Sequence, residues 1–373
     1  MNPFIFGKVV SGEAYCDRAR HEDRLRDRLI SGQNVYLQGP RRTGKTSLVE
    51  RVGRRSFRKK YFRVDFWGVK SRAEAFELIL SRWLEFERAR KRHAHALEVL
   101  SGLNLEFSLL GARVKLGSTR KIDALSLDAV FSQLEVRKKR GTRHVPTCVF
   151  FDEFQALQQM KKGERDDFLG ELRKSIQHLH GVSFVFGGSI RSALHEIFNH
   201  PKSPFFQAAE AFELGSIEPL SRFHRFLAKK FAATERKPTP EFWKAVEIVV
   251  GPNPSDTQRL CAASFEMTSP DETLGEATVD RALDRIFEHE RDTYLMFVQE
   301  ATGLQKRCLL GVAELGGKGV TSKRFLAHIH HRNGPGVLKA LGAFVNRGLL
   351  YKEGREFLFV SPFLREWLLR EFP

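Results

Sequence analysis

The sequence predicts an α/β fold: a parallel sheet covered by helices, followed by an all-helical stretch and a small basic module at the C-terminus. Three observations predict it. Apolar runs alternate with amphipathic helix-length stretches as far as residue 220, the pattern of strand–helix–strand units. The first of those runs passes directly into a glycine-rich loop and a helix. Beyond residue 220 the periodicity is helical until a closing helix, turn, helix and a pair of alternating strands.

"NVYLQ", Asn34 to Gln38, reads as a short buried strand, and the next residues, Gly39-Pro-Arg-Arg-Thr-Gly44-Lys45-Thr46, fit GxxxxGK[ST], the phosphate-binding P-loop. "SLVERVGRRSF" continues as a helix, which gives the motif its required context. Glycines let successive N–H groups converge on a phosphate at a helix N-terminus, where the dipole also favours negative charge. Gly39, Pro40, Arg41, Arg42, Thr43, Gly44, Lys45, Thr46 and Ser47 are therefore the expected nucleotide-binding set. Lys45 is expected to reach the β/γ-phosphates and Thr46 to ligate Mg²⁺. Backbone and Lys45 hold the phosphates, so the side chains of Arg41 and Arg42 are free to point outward to a partner subunit, a lid or DNA.

"KKYFRVDFWGV", Lys60 to Val69, follows as a strand, then a charged helical region from Ser71 to Leu100. "LEFSLLGARVKLG", Leu105 to Gly117, alternates about a central glycine and suggests a β-hairpin, and a helix spans Leu125 to Arg140. In "TCVFFDEFQAL" the apolar run Cys148 to Phe151 suits a fully buried parallel strand, with Asp152 and Glu153 emerging at its C-terminal end. Asp152 is expected to hold Mg²⁺ through water and Glu153 to act as the general base. A helix from Glu164 to His180 leads to the strand "VSFVFGGS", Val182 to Ser189, with Ser189 as the γ-phosphate sensor. Arg191 is read either as a phosphate or subunit contact or as a solvated arginine. "AFELGSIEPL", Ala211 to Leu220, is the last strand. Together these elements make a P-loop NTPase sheet.

Helical stretches follow at Ser221–Lys237, Pro240–Val250, Ser255–Thr268 and Ala277–Thr302. The pattern then gives helices at Leu304–Leu315, Ser322–Ile329 and Val337–Arg347, two strands about Glu353-Gly354, and a closing amphipathic helix, "SPFLREWLLREF". Helix, turn, helix and hairpin predict a winged helix. The expected domains are a P-loop ATPase domain over 1–220, a helical lid over 221–300 and a winged-helix domain over 301–373.

Composition favours a polyanionic partner such as DNA, RNA or an acidic protein. Lys and Arg number 62 against 45 Asp and Glu, a formal charge of +17, which favours a polyanion. The residues from Ala301 onward carry twelve basic against five acidic side chains, a net +7. Lys339 and Arg347 on the second helix and Lys352 and Arg355 on the wing are the expected phosphate contacts of duplex DNA, sequence-independent because "VLKALGAFVNRG" is poor in base-reading side chains. The runs Arg54 to Arg63 and Arg88 to His95 read as solvated helix faces. Four cysteines, Cys16, Cys148, Cys261 and Cys308, lie far apart with no CxxC spacing and read as buried thiols. No apolar run is long enough to span a membrane and the N-terminus lacks a signal-peptide pattern, so a cytoplasmic protein with no membrane partner is expected.

"FGKVVSGEAYCDR", "GPRRTGKTSL", "VFFDEFQAL", "FGGSIRSALHEIF", "SPFF" and "FELGSIEPL" occur in the order found in the archaeal-type ATPase family, and the chain resembles that branch of the STAND (MNS-like) P-loop NTPases, relatives of the AAA+ ATPases. The resemblance implies ATP rather than GTP, adenine near Tyr15 to Arg18, and a helical lid followed by a winged helix. It places Lys45, Thr46, Asp152, Glu153 and Ser189 in the roles given above. Two departures stand out. Gln207 and Ala208 replace the Gly-Arg that often follows "SPF", leaving no arginine there to act in trans, and Gly251-Pro-Asn-Pro254 replaces the usual Gly-x-Pro of the lid, with Arg259 beyond it as a lid-sensor candidate.

The function expected from these readings is an Mg²⁺-dependent ATPase switch, with Glu153, Lys45 and Ser189 as its catalytic residues and a winged helix that engages DNA. Two alternatives stand beside it: a nucleotide-gated scaffold controlling a separate effector protein without DNA, and a DNA-loading or transposition-type ATPase that forms homo-oligomers.

Overall fold

Five parallel strands order the first of two units. In the computed structural model, which describes residues 1–16, 18–92, 94, 96, 98–99, 106–109, 112–115, 124–135, 145–188 and 191–372, the strands are β1 (Val35–Gln38), β2 (Tyr61–Asp65), β3 (Glu106–Leu109), β4 (Ala112–Lys115), β5 (Thr147–Asp152), β6 (Val182–Phe186) and β7 (Glu210–Glu213). The sheet order is β2-β5-β6-β1-β7, every pair parallel. β3 and β4 pair antiparallel as the expected hairpin. The unit comprises Ser11–Gly215; the other comprises Met1–Val10 and Ser216–Pro373.

Burial follows position in the sheet. β1, β5 and β6 are central and buried at every residue, which is why their sequences are predominantly apolar rather than alternating. Edge strand β2 alternates instead, with Phe62 and Val64 buried and Tyr61, Arg63 and Asp65 half-buried. Helices α1 (Ala19–Ile30) and α2 (Lys45–Val52) contribute Leu25, Leu29, Leu48, Val49 and Val52 to the core on one face of the sheet, with Cys148 and Phe150 of β5. Helices α3 (Arg72–Ala89), α4 (Ala124–Ser132), α5 (Lys162–Gln177) and α6 (Arg191–Asn199) belong with the opposite face. There Phe151, Phe154, Phe184, Phe186, Phe198 and Phe205 are fully buried against one another. Each such ring contributes about 1.5–3 kcal/mol by leaving water.

Several elements stop earlier than the sequence periodicity suggests. The helix after the loop gives way at Gly53 to a single wider turn, Gly53–Phe57. A Cβ at Gly53 would lie 2.5 Å from the Tyr61 ring, so the bend is the price of close packing against β2. The last strand of the sheet ends at Glu213 rather than Leu220, and α3 ends at Ala89, although residues 94, 96, 98 and 99 are helical again beyond it.

The second unit contains α7 (Leu220–Ala232), α8 (Pro240–Val250), α9 (Pro254–Glu266), α10 (Glu276–Gln299), α11 (Gly303–Leu315), α12 (Lys323–His328), α13 (Gly334–Asn346) and α14 (Pro362–Glu371). Side chains of Thr239, Asn253, Thr302, Ser322 and Asn333 accept backbone N–H bonds at the starts of five of these helices. Strands β8 (Lys237–Pro238) and β9 (Thr273–Leu274) form a short parallel pair, and β10 (Leu350–Glu353) and β11 (Glu356–Phe359) an antiparallel one. The first ten residues belong here: Phe4 packs on Phe231 at 4.5 Å, and Lys230 Nζ donates to the Pro3 carbonyl at 2.9 Å. All four cysteines are buried and unbridged. No helix among the described residues is long and apolar enough to cross a membrane.

Candidate nucleotide-binding site

The loop between β1 and α2 is shaped by three left-handed residues, Gly39 (φ 153°), Arg42 (φ 62°) and Gly44 (φ 87°), the last of which is the N-cap of α2. Gly39 has no room for a side chain: a Cβ there would lie 2.0 Å from the carbonyl oxygen of Leu214, just past β7. Arg42 adopts a conformation that costs a branched-Cα residue on the order of 1 kcal/mol, so the loop holds it in place. Arg18, itself buried, supplies part of the hold by donating to the carbonyls of Thr43 and Gly215, each at 2.9 Å. In a trans peptide the N–H of Gly44 points opposite to the C=O of Thr43. Arg18 therefore sets the direction of that amide. Thr43 Oγ1 closes the loop by donating to the Pro40 carbonyl at 2.9 Å.

Lys45 and Thr46 open α2 and diverge. Lys45 Nζ folds back onto the carbonyls of Gly39 (2.9 Å) and Pro40 (2.6 Å). Burial pushes its ammonium down to about 8, against the opposing pull of Glu153 and Asp152, and the charge of Arg41 pushes the same way as burial. Arg41 is thus half-buried and electrostatically coupled to Lys45 rather than simply turned outward, whereas Arg42 is exposed. Ser47 is buried in the first turn.

Thr46 Oγ1 donates to Asp152 Oδ2 at 3.0 Å, joining the loop to the end of β5 although 106 residues separate them. Burial raises the Asp152 carboxyl to about 6 despite the neighbouring Arg63. Its other oxygen accepts the Glu153 N–H at 3.0 Å. Two hard oxygens converging on one point have the donor chemistry of an Mg²⁺ site. No larger metal cluster of His, Cys, Asp and Glu occurs among the described residues.

Glu153 also has a left-handed backbone, φ 49°, where the chain turns from β5 into the short helix Phe154–Gln159. The Phe154 N–H bonds the Gly187 carbonyl at 2.8 Å, which ties this turn to the end of β6. Gln155, buried beside it, donates from Nε2 to the Glu153 carboxylate. A Cβ at Gly188 would come within 2.1 Å of Gln155 Oε1, so the glycine after β6 makes room for that amide. Ser189 lies outside the described residues, and Arg191 begins α6.

No family model and no curated protein matches the sequence. Among solved structures, the Walker-type ATPase of Pyrococcus abyssi matches over 96% of this chain and 97% of its own at a TM-score of 0.63 and 15% identity. The Aeropyrum pernix ORC2 protein, solved as ADPNP-ADP complexes, matches over 99% and 95% at 0.50 and 15%. The chain shares with these structures a P-loop NTPase fold built on a five-stranded parallel sheet. In that fold the P-loop strand β1 is separated from the acidic strand β5 by β6, and both end at the carboxyl edge of the sheet, where open α/β sheets bind ligands.

Three contacts around the P-loop were not expected from the sequence: Arg18 on the Thr43 carbonyl, Gln155 on Glu153, and Arg63 on Asp152. Arg63 does not lie on a solvated helix face; it sits in β2 and reaches Asp152 Oδ2 at 2.8 Å. The available signal was "FRVD", two opposite charges on one face of an otherwise apolar strand. Elsewhere, Arg259 pairs with Glu290 and lies over the Phe363 ring, 4.8 Å to its centroid, so it is engaged within its own unit.

Proposed function

We propose that the protein is an ATP-binding and ATP-hydrolysing switch of the AAA+/STAND type, whose basic C-terminal module engages duplex DNA without sequence readout. The observation that carries the reading is the 3.0 Å contact of Thr46 with Asp152, because it unites the P-loop with the acidic strand end in the donor arrangement an Mg·ATP site needs. Amides of the P-loop and the N-terminus of α2 receive phosphate. Lys45 exchanges its two loop carbonyls for phosphate oxygens, recovering a full charge partner for an ammonium that burial otherwise weakens. Thr46 and Asp152 would hold Mg²⁺, which would supply charge neutralisation for the triphosphate. Glu153, oriented by Gln155, accepts the proton of the attacking water. Ser189 is assigned as sensor.

In this reading residues 221–300 serve as a nucleotide-responsive helical lid and residues 301–373 as a winged helix. α12, α13 and the β10–β11 hairpin are its helix–turn–helix and wing. Lys339, Lys352 and Arg355 are exposed and suited to phosphate contact. Arg347 is exposed as well but is paired with Glu300 at 2.5 Å and lies over Phe344. That engagement favours the second reading, a nucleotide-gated regulator of a separate effector protein with no DNA partner. The DNA-loading alternative finds less support, since Gln207 and Ala208 stand where a trans-acting arginine is needed.

Size-exclusion chromatography of the full chain with ATP or ADP, with and without duplex DNA, at two salt concentrations tests the choice. The switch reading expects an ATP-dependent DNA complex that high salt dissolves. A monomer that ignores DNA under every condition would favour the regulator.

A further inference from the structure

At the acidic strand end one cation has no place in the nucleotide-binding machinery. Arg63 Nη2 lies 2.8 Å from Asp152 Oδ2, the same oxygen that accepts the Thr46 hydroxyl, and 2.7 Å from Asp65 Oδ2. The register of β2 against β5 sets Arg63 beside Phe150 and Asp65 beside Asp152. Successive odd positions of β2 and even positions of β5 therefore share the face on which α2 packs. A guanidinium is planted on the oxygen that the proposed metal needs.

We propose that Arg63 is a tethered cation that occupies Asp152 in the metal-free protein and sets the affinity of the site for Mg²⁺, passing to Asp65 when the ion arrives. This rests on the reading of the P-loop site as an Mg·ATP site. A buried carboxylate without a counter-ion is costly, and Arg63 supplies one while the metal is absent. A divalent ion brought to the same oxygen repels a guanidinium within a few ångströms, so the two cations compete for it. Asp65 offers the alternative: it already shares the same nitrogen and is itself more exposed than Asp152, at 39% against 5%. Arg63 Nε has no hydrogen-bond partner among the described residues, so the head group is held through its carboxylate contacts rather than locked along its length. Moving from Asp152 to Asp65 breaks one contact and keeps the other. Metal entry is thereby an exchange of cations, and its affinity is the difference between them.

The test uses the full chain with a non-hydrolysable ATP analogue and Mn²⁺, whose binding is read directly by electron paramagnetic resonance. Arg63→Gln removes the competing cation, and the half-saturating Mn²⁺ concentration falls about 10-fold, the scale on which outer-shell partners act on metal sites. Asp65→Asn removes the alternative partner, leaves Arg63 on Asp152, and raises that concentration. Opposite signs distinguish the exchange from structural damage, which would weaken binding in both variants. An unchanged or weakened affinity in Arg63→Gln, or an Asp65→Asn protein indistinguishable from wild type, overturns the inference while leaving the nucleotide site intact. Wild-type protein that binds neither the analogue nor Mn²⁺ overturns the reading of the site itself, and the exchange with it.

Discussion

Replacing Arg18 with Met keeps the length of the side chain and removes its donors, and the consequence can be worked from two contacts. The guanidinium bonds the carbonyls of Thr43 and Gly215, both at 2.9 Å. Hydrogen bonds from a charged donor are worth about 1.5–3 kcal/mol each. Against this stands the cost of burying the guanidinium, visible in a pKa lowered chiefly by desolvation, which the Met variant no longer bears. The net loss is about 3 kcal/mol, and for a unit of this size it lowers the melting transition by roughly 6–12 °C. A second effect is local. Freed from Arg18, the Thr43–Gly44 peptide can rotate, and the Gly44 amide no longer faces the phosphate side, so nucleotide affinity falls as well. Differential scanning calorimetry with and without ADP reads both: the apo transition drops, and the upward shift produced by ADP shrinks. A variant that melts within 2 °C of wild type and gains as much from ADP would refute the bridging role of Arg18.

Other expectations follow from the same geometry. Gly39→Ala places a methyl 2.0 Å from a backbone oxygen, so either β7 or the P-loop shifts, and isothermal titration with ADP should show at least a tenfold loss of affinity in a protein destabilised by about 1–3 kcal/mol. Gln155→Leu removes the donor that orients Glu153; kcat is expected to fall about 10- to 100-fold with KM nearly unchanged, which steady-state kinetics separate. The pH profile has two limits. Asp152 carries the charge a metal needs only above about 6, its folded pKa being raised by burial, and the folded protein loses stability as pH climbs from near 4 toward that value. Lys45, lowered to about 8, loses its ammonium above that pH. Mg·ATP affinity should therefore peak between about 6 and 8, and a profile flat from 5 to 9 would contradict both shifts.

Much of this architecture could be read from local pattern. The P-loop and the acidic strand announce themselves because their chemistry is contiguous: GPRRTGKTS and VFFDE each carry ligand and context within about ten residues. The order of helices and strands was equally legible, since apolar runs and helical periodicity report burial directly. What escaped was long-range. Arg18 meets Thr43 and Gly215 across 25 and 197 residues, and nothing in "CDRAR" says which arginine turns inward. Arg63 looked like one basic residue among several until the register of β2 and β5 brought it to Asp152. The first ten residues were expected within the 1–220 domain, whereas Phe4 packs on Phe231 and Pro3 accepts from Lys230, both of α7.

The central claim is that the P-loop and the pair Asp152 and Glu153 form one ATP-hydrolysing site. The most direct measurement is bound nucleotide and phosphate release on the same samples of wild type, Lys45→Ala and Glu153→Gln with Mg·ATP. The account predicts turnover in wild type, loss of binding in Lys45→Ala, and retained ATP with turnover reduced by two or more orders of magnitude in Glu153→Gln. Turnover that persists at the wild-type rate in both variants would contradict it.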